Sequence, residues 1–262
     1  MRIRKLESHL PQCIGIIPAR YASRRFPGKP LVEILGRPMF WHVYQRASQC
    51  PQLDHVLLAT DDDRIRQSAE TFNIPVIMTS VEHPSGSDRI LEVAQTIGAA
   101  DESVIVNIQG DEPALDPAML SQLLMPFKQS TTQVTTLANR IDGQTAINPN
   151  IVKVVFSKNG EALYFSRAMI PHRSEHASQP PYYGHIGLYA YRKHVLDRFV
   201  QWGPSNLENT EKLEQLRLLE NGVPIQVVIT EHVSRGVDVP GDIEAITELM
   251  ATQSYGSDLD QA

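Results

Sequence analysis

The chain has 262 residues, of which 42% are hydrophobic and 21% charged, with a net charge of −6 and a pI near 5.8. These are globular values, sufficient for one large α/β domain or one domain with an inserted lobe, and the acidic balance argues against nucleic acid or an anionic membrane as a partner. No apolar run approaches the ~18 residues of a membrane span, and the two cysteines, Cys13 and Cys50, are too few for a disulfide framework and read as buried thiols.

In chain order, residues 1–12 are basic and polar without an apolar centre, which is not the pattern of a signal peptide. They read as a short flexible extension of a soluble, cytoplasmic protein. An apolar strand over 13–18 follows and stops at Pro18. The loop after it carries Arg20, Arg24, Arg25 and Lys29 and closes on Pro27-Gly28-Lys29-Pro30. Four cations at the carboxyl end of a buried strand call for a polyanion, and a nucleoside triphosphate fits best, because ligands of α/β sheets bind there. The loop is not a Walker A motif: Ser23 stands at its first glycine and Pro30 at its magnesium-binding Ser/Thr. Nor does a G-x-G-x-x-G follow the strand.

Pro38 opens a helix with Phe40, Val43, Tyr44 and Ala47 on one face. Strand 55–60 runs into Asp61-Asp62-Asp63, acids suited to the first turn of the next helix. Strand 74–79 leads through Ser85-Gly86-Ser87-Asp88-Arg89 to a helix that turns Ile90, Leu91, Ala94 and Ile97 inward. Strand 103–108 is a near-continuous β run of the central parallel kind, ending in Gln109-Gly110-Asp111-Glu112-Pro113, and a helix over 117–127 completes the unit. Strands alternating with helices at this interval predict a doubly wound, mostly parallel sheet.

From 132 to 192 the pattern becomes β-rich. Strands over 134–139, 152–156, 162–165 and 184–191 include an Asn159-Gly160 hairpin signal. Helices over 193–202 and 206–220, a strand over 224–230 and a helix over 240–251 complete the chain, with a polar, frayed tail at 252–262.

The ordered set of motifs resembles the 3-deoxy-manno-octulosonate cytidylyltransferases, the CMP-Kdo synthetases of lipopolysaccharide synthesis. It comprises Ile-Ile-Pro-Ala-Arg-Tyr-Ala-Ser-Arg-Arg-Phe-Pro-Gly-Lys-Pro-Leu at 16–31, Ala-Thr-Asp at 59–61, Ser-Gly-Ser-Asp-Arg at 85–89 and Asn-Ile-Gln-Gly-Asp-Glu-Pro at 107–113. Ala-Leu-Tyr-Phe-Ser-Arg-Ala at 162–168, His-Ile-Gly-Leu-Tyr at 185–189, Glu-Lys-Leu-Glu-Gln-Leu-Arg at 211–217 and Val-Asp at 237–238 continue it. The resemblance spans residues 13–251 colinearly. It implies a single cytidylyltransferase domain of the nucleotide-diphospho-sugar transferase type, whose smaller β-rich lobe, about 132–192, serves sugar binding and homodimerisation. The implied reaction is attack by the anomeric hydroxyl of Kdo on the α-phosphate of CTP, with magnesium as cofactor and pyrophosphate as leaving group.

The resemblance also assigns residues. Arg20, Arg25 and Lys29 would balance the triphosphate, with backbone donors near Ala22 and Ser23; Arg24 departs from the family pattern and reads as solvent-facing. Asp111 and Asp238 would hold magnesium, and with Arg20 and Lys29 form the catalytic set. For Asp238 a helix-capping role stays open, because Val239-Pro240 follows. Ala19, Ser85, Gly86 and Arg89, with Asp61, fall on the nucleotide side. There the family's usual Thr-Glu is Ser87-Asp88, and a helix-start acid beside a surface arginine is the plainer reading of Asp88-Arg89. Gln109, Arg167, His185, Tyr189, Glu214 and Gln215 fall on the sugar side. Arg167 would grip the carboxylate bidentately, and His185 would donate to a hydroxyl rather than act as base. From residues alone, Glu214 reads equally as a solvated face. An 8-amino-Kdo or nonulosonic acid substrate, and a nucleotide-binding homologue without turnover, are the competing expectations.

Overall fold

The computed structural model describes residues 10–22, 26–172, 181–232 and 235–259, in backbone only beyond 252. Its elements run β1 (Cys13–Ala19), β2 (Glu33–Ile34), β3 (Arg37–Pro38), α1 (Met39–Ser48), β4 (His55–Thr60), α2 (Asp63–Thr71), β5 (Val76–Met78), α3 (Gly86–Thr96), β6 (Val104–Asn107) and α4 (Pro117–Leu124). They continue as β7 (Val134–Ile141), α5 (Gly143–Ala146), β8 (Lys153–Phe156), β9 (Ala162–Ser166), β10 (Tyr182–Arg192), α6 (Lys193–Trp202), α7 (Asn206–Glu211), α8 (Leu216–Glu220), β11 (Ile225–Ile229) and α9 (Asp242–Leu259). The class is α/β with a mixed sheet. No helix of the described residues is long and apolar enough to cross a membrane.

The chain divides into two compact units. One comprises Ile14–Ala99, Asn107–Leu120 and His232–Ala262. Its strands β1, β4 and β5 pair in parallel, with Ile14 opposite His55 and Leu58 opposite Val76. The apolar run of β1 is buried almost throughout, as a strand covered on both faces requires. A second cluster, Ile34, Met39, Ala114, Val237, Ile246 and Met250, packs α9 and the segment before it onto the start of α1. The β2–β3 hairpin turns through Leu35 and Gly36, both at positive φ (49° and 73°). This is the requirement of a two-residue primed turn; without an Asn-Gly or Asp-Gly pair, the hairpin gave no signal in the sequence.

The other unit comprises Met1–Cys13, Ala100–Val106 and Ser121–Glu231. Its strand order is β11-β7-β10-β6, with β8 and β9 attached through β8 to β10. β11 runs parallel to β7, whereas β10 runs antiparallel to it with a bulge between Ile186 and Tyr189. β8 and β9 form the hairpin signalled by Asn159-Gly160, with Gly160 at φ 82°.

Three boundaries differ from expectation. The helix over 117–127 ends at Leu124 and tightens into a 3₁₀ turn at Met125–Lys128, where Pro126 offers no amide hydrogen. The helix over 240–251 starts at Asp242 and its backbone continues to Leu259. The helix over 206–220 is two helices, because Lys212 takes a left-handed conformation (φ 56°) after Glu211. The partner comes from a distant stretch of the chain: Arg167 donates from Nε to Glu211 O (2.8 Å) and from Nη2 to Lys212 O (3.4 Å), capping the carbonyls that a continuous helix would consume.

Candidate active site

In the first unit, β1 delivers the chain to Arg20, whose Nη2 donates to Ser85 O at 2.6 Å and whose Nη1 reaches Pro84 O at 3.5 Å. Lys29 follows Gly28, which is left-handed (φ 74°), and begins a 3₁₀ turn. Its Nζ donates to Asp111 Oδ2 at 2.6 Å and to Val237 O at 3.0 Å. The Val237 N–H in turn donates to Asp111 O at 2.9 Å. One ammonium group thus joins the basic loop, the turn after β6 and the segment leading to Asp238. Gly110 makes this approach possible, since a Cβ there would lie 2.6 Å from Pro18 O. Arg20, Lys29, Ser85, Gly86, Gln109 and Asp111 line a cleft of about 330 Å³ with Pro18 at its floor.

Asp238 has a helper that the sequence pattern did not reveal. Asp242 Oδ2 accepts from the Asp238 N–H (2.8 Å) and the Val239 N–H (3.0 Å), bonds that hold the Asp242 carboxyl below its usual range, Val239 contributing most. Asp242, in the first turn of α9, thereby ties the backbone at Asp238 and Val239 to the start of that helix. Its signal was an acid three residues past Val239, as in a capping box.

On the nucleotide side, Ser85 caps α3. Its Oγ accepts from the Ser87 and Asp88 N–H groups and donates to Asp88 Oδ2 at 2.6 Å. Asp88 is therefore a helix-start acid, as its position in the sequence suggests, but Arg89 is not a surface residue: its side chain is fully buried. Nη2 pairs with Asp61 Oδ2 at 2.5 Å and Nη1 donates to Thr79 Oγ1, which itself donates to Thr60 O. Arg89 thus reaches the site through Asp61. Burial and then the Arg89 charge lower the Arg20 pKa, while Asp61 and Asp88 oppose the shift. Ala19 is buried at the end of β1. Ser23, Arg24 and Arg25 lie outside the described residues.

The sugar-side residues other than Gln109 lie in the second unit. Arg167 is clamped: its N–H donates to Glu211 Oε2 (2.9 Å), Ser166 Oγ donates to Glu211 Oε1 (2.6 Å), and Arg167 Nη1 reaches Pro149 O (3.2 Å). Its carbonyl accepts from the buried Lys153 Nζ at 2.6 Å, which also donates to Asn148 O and Ile151 O. His185 packs edge-on to Phe165 and tilted to Tyr189, with ring centroids 5.0 and 5.3 Å apart. Burial pushes the His185 pKa down to about 3, so the ring is neutral. Burial raises the Tyr189 hydroxyl well above its usual value, with Tyr191 and Glu214 adding to the shift. The Thr136 hydroxyl beside Tyr189 Oη opposes that rise, and among the described residues the buried Gln215 Nε2 makes no hydrogen bond.

Residues 14–227 match the family described as cytidylyltransferase. A 3-deoxy-manno-octulosonate cytidylyltransferase of Oleidesulfovibrio alaskensis is 56% identical over 239 residues, covering 91% of this chain and 96% of the relative. The chain belongs to the 3-deoxy-manno-octulosonate cytidylyltransferase family. A further member from Nitratidesulfovibrio vulgaris is 57% identical over 241 residues, covering 91% and 96%, and one from Myxococcus xanthus is 46% identical over 238, covering 90% and 96%. A solved structure of CMP:2-keto-3-deoxy-manno-octonic acid synthetase complexed with CTP superimposes with a TM-score of 0.88 at 41% identity, covering 92% of this chain and 99% of that one. A 4-diphosphocytidyl-2C-methyl-D-erythritol synthase, at a TM-score of 0.64 and 13% identity over 92% and 98% of the chains, shares the fold.

As a 3-deoxy-manno-octulosonate cytidylyltransferase, the chain is a nucleotidyltransferase. Its cleft sets cations beside a partly exposed carboxylate, the arrangement phosphoryl chemistry uses to hold and neutralise an anion. Among the described residues no three His, Cys, Asp or Glu side chains gather as a metal cage. Magnesium does not need one, since it takes one or two carboxylates and completes its shell with water and substrate phosphates. Asp111, with its side chain 32% exposed, and Asp238 suit that mode.

Proposed function

We propose that this cytidylyltransferase joins CTP to 3-deoxy-manno-octulosonate, giving CMP-Kdo and pyrophosphate for lipopolysaccharide synthesis, in the cytoplasm where CTP is available. The observation that carries the reading is the Lys29–Asp111–Val237 junction in the cleft beyond β1. It gathers a cation, a carboxylate and the approach to Asp238 at the strand end where Arg20 emerges. Arg20 and Lys29 hold the triphosphate and offset the charge that develops as pyrophosphate leaves. The helix start at Ser85-Gly86, beside the Pro84 and Ser85 carbonyls, meets the nucleoside, with Asp61 braced by Arg89. Asp111 and Asp238 would hold magnesium, which when bound would supply charge neutralisation and lower the pKa of the attacking hydroxyl. Arg167 meets the sugar's carboxylate, and His185, Tyr189, Glu214 and Gln215 meet its hydroxyls. His185, neutral at working pH, contributes hydrogen bonding rather than proton abstraction. Leu163 and Ile147, both largely exposed in the β-rich stretch, support a homodimer through that lobe, which sedimentation would test. The reaction is tested with purified protein, CTP, Kdo and magnesium. Pyrophosphate should form only when all three are present, in a 1:1 ratio with CMP-Kdo, and release without Kdo would overturn the reading.

A further inference from the structure

The bulge of β10 is built around one hydroxyl. The register shifts between Ile186, opposite Leu137, and Tyr189, opposite Thr136, so that consecutive β7 residues face β10 residues three apart. Thr136, opposite Tyr189 in the register, is fully buried and fills the irregularity. Its Oγ1 lies 3.0 Å from Leu188 O, 3.2 Å from Ile186 O and 3.0 Å from His185 Nε2.

These distances determine a proton position. A hydroxyl has one hydrogen and two lone pairs, and a carbonyl oxygen only accepts. With two carbonyls in reach, the Thr136 proton goes to one of them. If it went to His185 instead, three oxygens would face one another with lone pairs alone, in a buried place where an unmet acceptor is costly. The Thr136 oxygen therefore accepts, and His185 Nε2 must carry the hydrogen. In a neutral imidazole the other nitrogen then bears the lone pair. The Tyr189 hydroxyl lies beside the same Thr136, whose oxygen has a second lone pair to offer it.

We infer that Thr136 is a positioning residue that fixes His185 in the Nε2–H tautomer, so that Nδ1 is left as an acceptor for a hydroxyl of the sugar acid. The inference rests on the reading of His185 and Tyr189 as sugar-side residues and sharpens it, because His185 then accepts from a hydroxyl where the sequence suggested that it donates. A β-strand without the bulge could not bring Thr136 Oγ1 to the Ile186 and Leu188 carbonyls and the ring at once.

The test has two parts. In wild-type protein carrying ¹⁵N-histidine, with the His185 signal assigned by its loss in His185→Gln, Nε2 should be protonated and Nδ1 bare. A protonated Nδ1 overturns the inference regardless of any variant. Thr136→Val should raise KM for Kdo about tenfold, the effect of one neutral hydrogen bond lost, with KM for CTP unchanged, and Thr136→Ser should return it to within about twofold. A correct tautomer combined with no change in the Kdo KM for either Thr136→Val or His185→Gln would overturn the placement of the sugar at His185, and with it the role given to Thr136. Loss of affinity for both substrates alike, unrescued by serine, would show a merely structural threonine and also overturn it.

Discussion

Replacing Arg89 by methionine should destabilise the nucleotide-side unit strongly. Arg89 has no exposed surface and pairs with Asp61 at 2.5 Å, while Asp61 keeps 16% of its side chain in contact with solvent. Removing one member of a buried pair leaves the other charge uncompensated, at a cost of roughly 3–5 kcal/mol. The partial access of Asp61 to water places the cost near the lower end, about 3 kcal/mol. At about 2–4 °C per kcal/mol for a chain of this size, the melting temperature should fall by about 6–12 °C. Arg89→Met/Asp61→Asn removes the stranded charge and should recover about half of that loss, since a pair replaced by neutral groups costs far less than a pair broken. Scanning calorimetry of the wild type, both single variants and the double variant closes the cycle. A drop of less than about 2 °C for Arg89→Met, or a double variant whose loss equals the sum of the single losses, would refute the account of Arg89 as the brace of Asp61.

Gly110→Ala places a Cβ 2.6 Å from Pro18 O, where only backbone can yield. A loss of about 2 kcal/mol in a denaturant titration is expected, with a fall in turnover because Asp111 is the next residue; unchanged stability and rate would show that the approach of β1 to the turn is not tight. Burial alone would raise the Glu208 carboxyl, but the hydrogen bond from Arg217, the Ser205 N–H and the Arg217 charge outweigh it and leave the pKa lowered. A carboxyl depressed on folding binds its proton more readily unfolded. Its stabilisation is therefore present above the unfolded value of about 4.3 and is lost as pH falls through the lower folded value. Melting temperatures below about pH 4.3 should fall more steeply for the wild type than for Glu208→Gln, and parallel curves would contradict this.

The parallel strands were legible because buried strands carry unbroken apolar runs and the helices between them keep a 3.6 period. The basic loop was legible because four cations gathered at a strand end repel one another and call for an anion between them. Less legible were the residues that act on other residues. The resemblance put Arg89 on the nucleotide side, but its full burial was not legible, because its partners Asp61 and Thr79 come from other strand ends. The break at Lys212 was hidden because residues 206–220 keep helical periodicity, while the competing donor, Arg167, lies far away in sequence. Thr136 sits in a plain β run, and only the bulge of β10 opposite gives its hydroxyl three partners. Asp242 was visible as a first-turn acid, but its hold on the Asp238 amide depends on the turn geometry at Val239-Pro240.

The central claim is that Asp111, joined to Lys29 and to the segment before Asp238, is the acid on which cytidylyl transfer depends. Turnover of CTP and Kdo with magnesium by Asp111→Ala, measured beside its melting curve, tests this most directly. CMP-Kdo formation should fall by at least about 10³-fold, as for loss of a principal electrostatic group, while the melting transition stays cooperative. Activity within about tenfold of wild type, in a protein that melts normally, would contradict it.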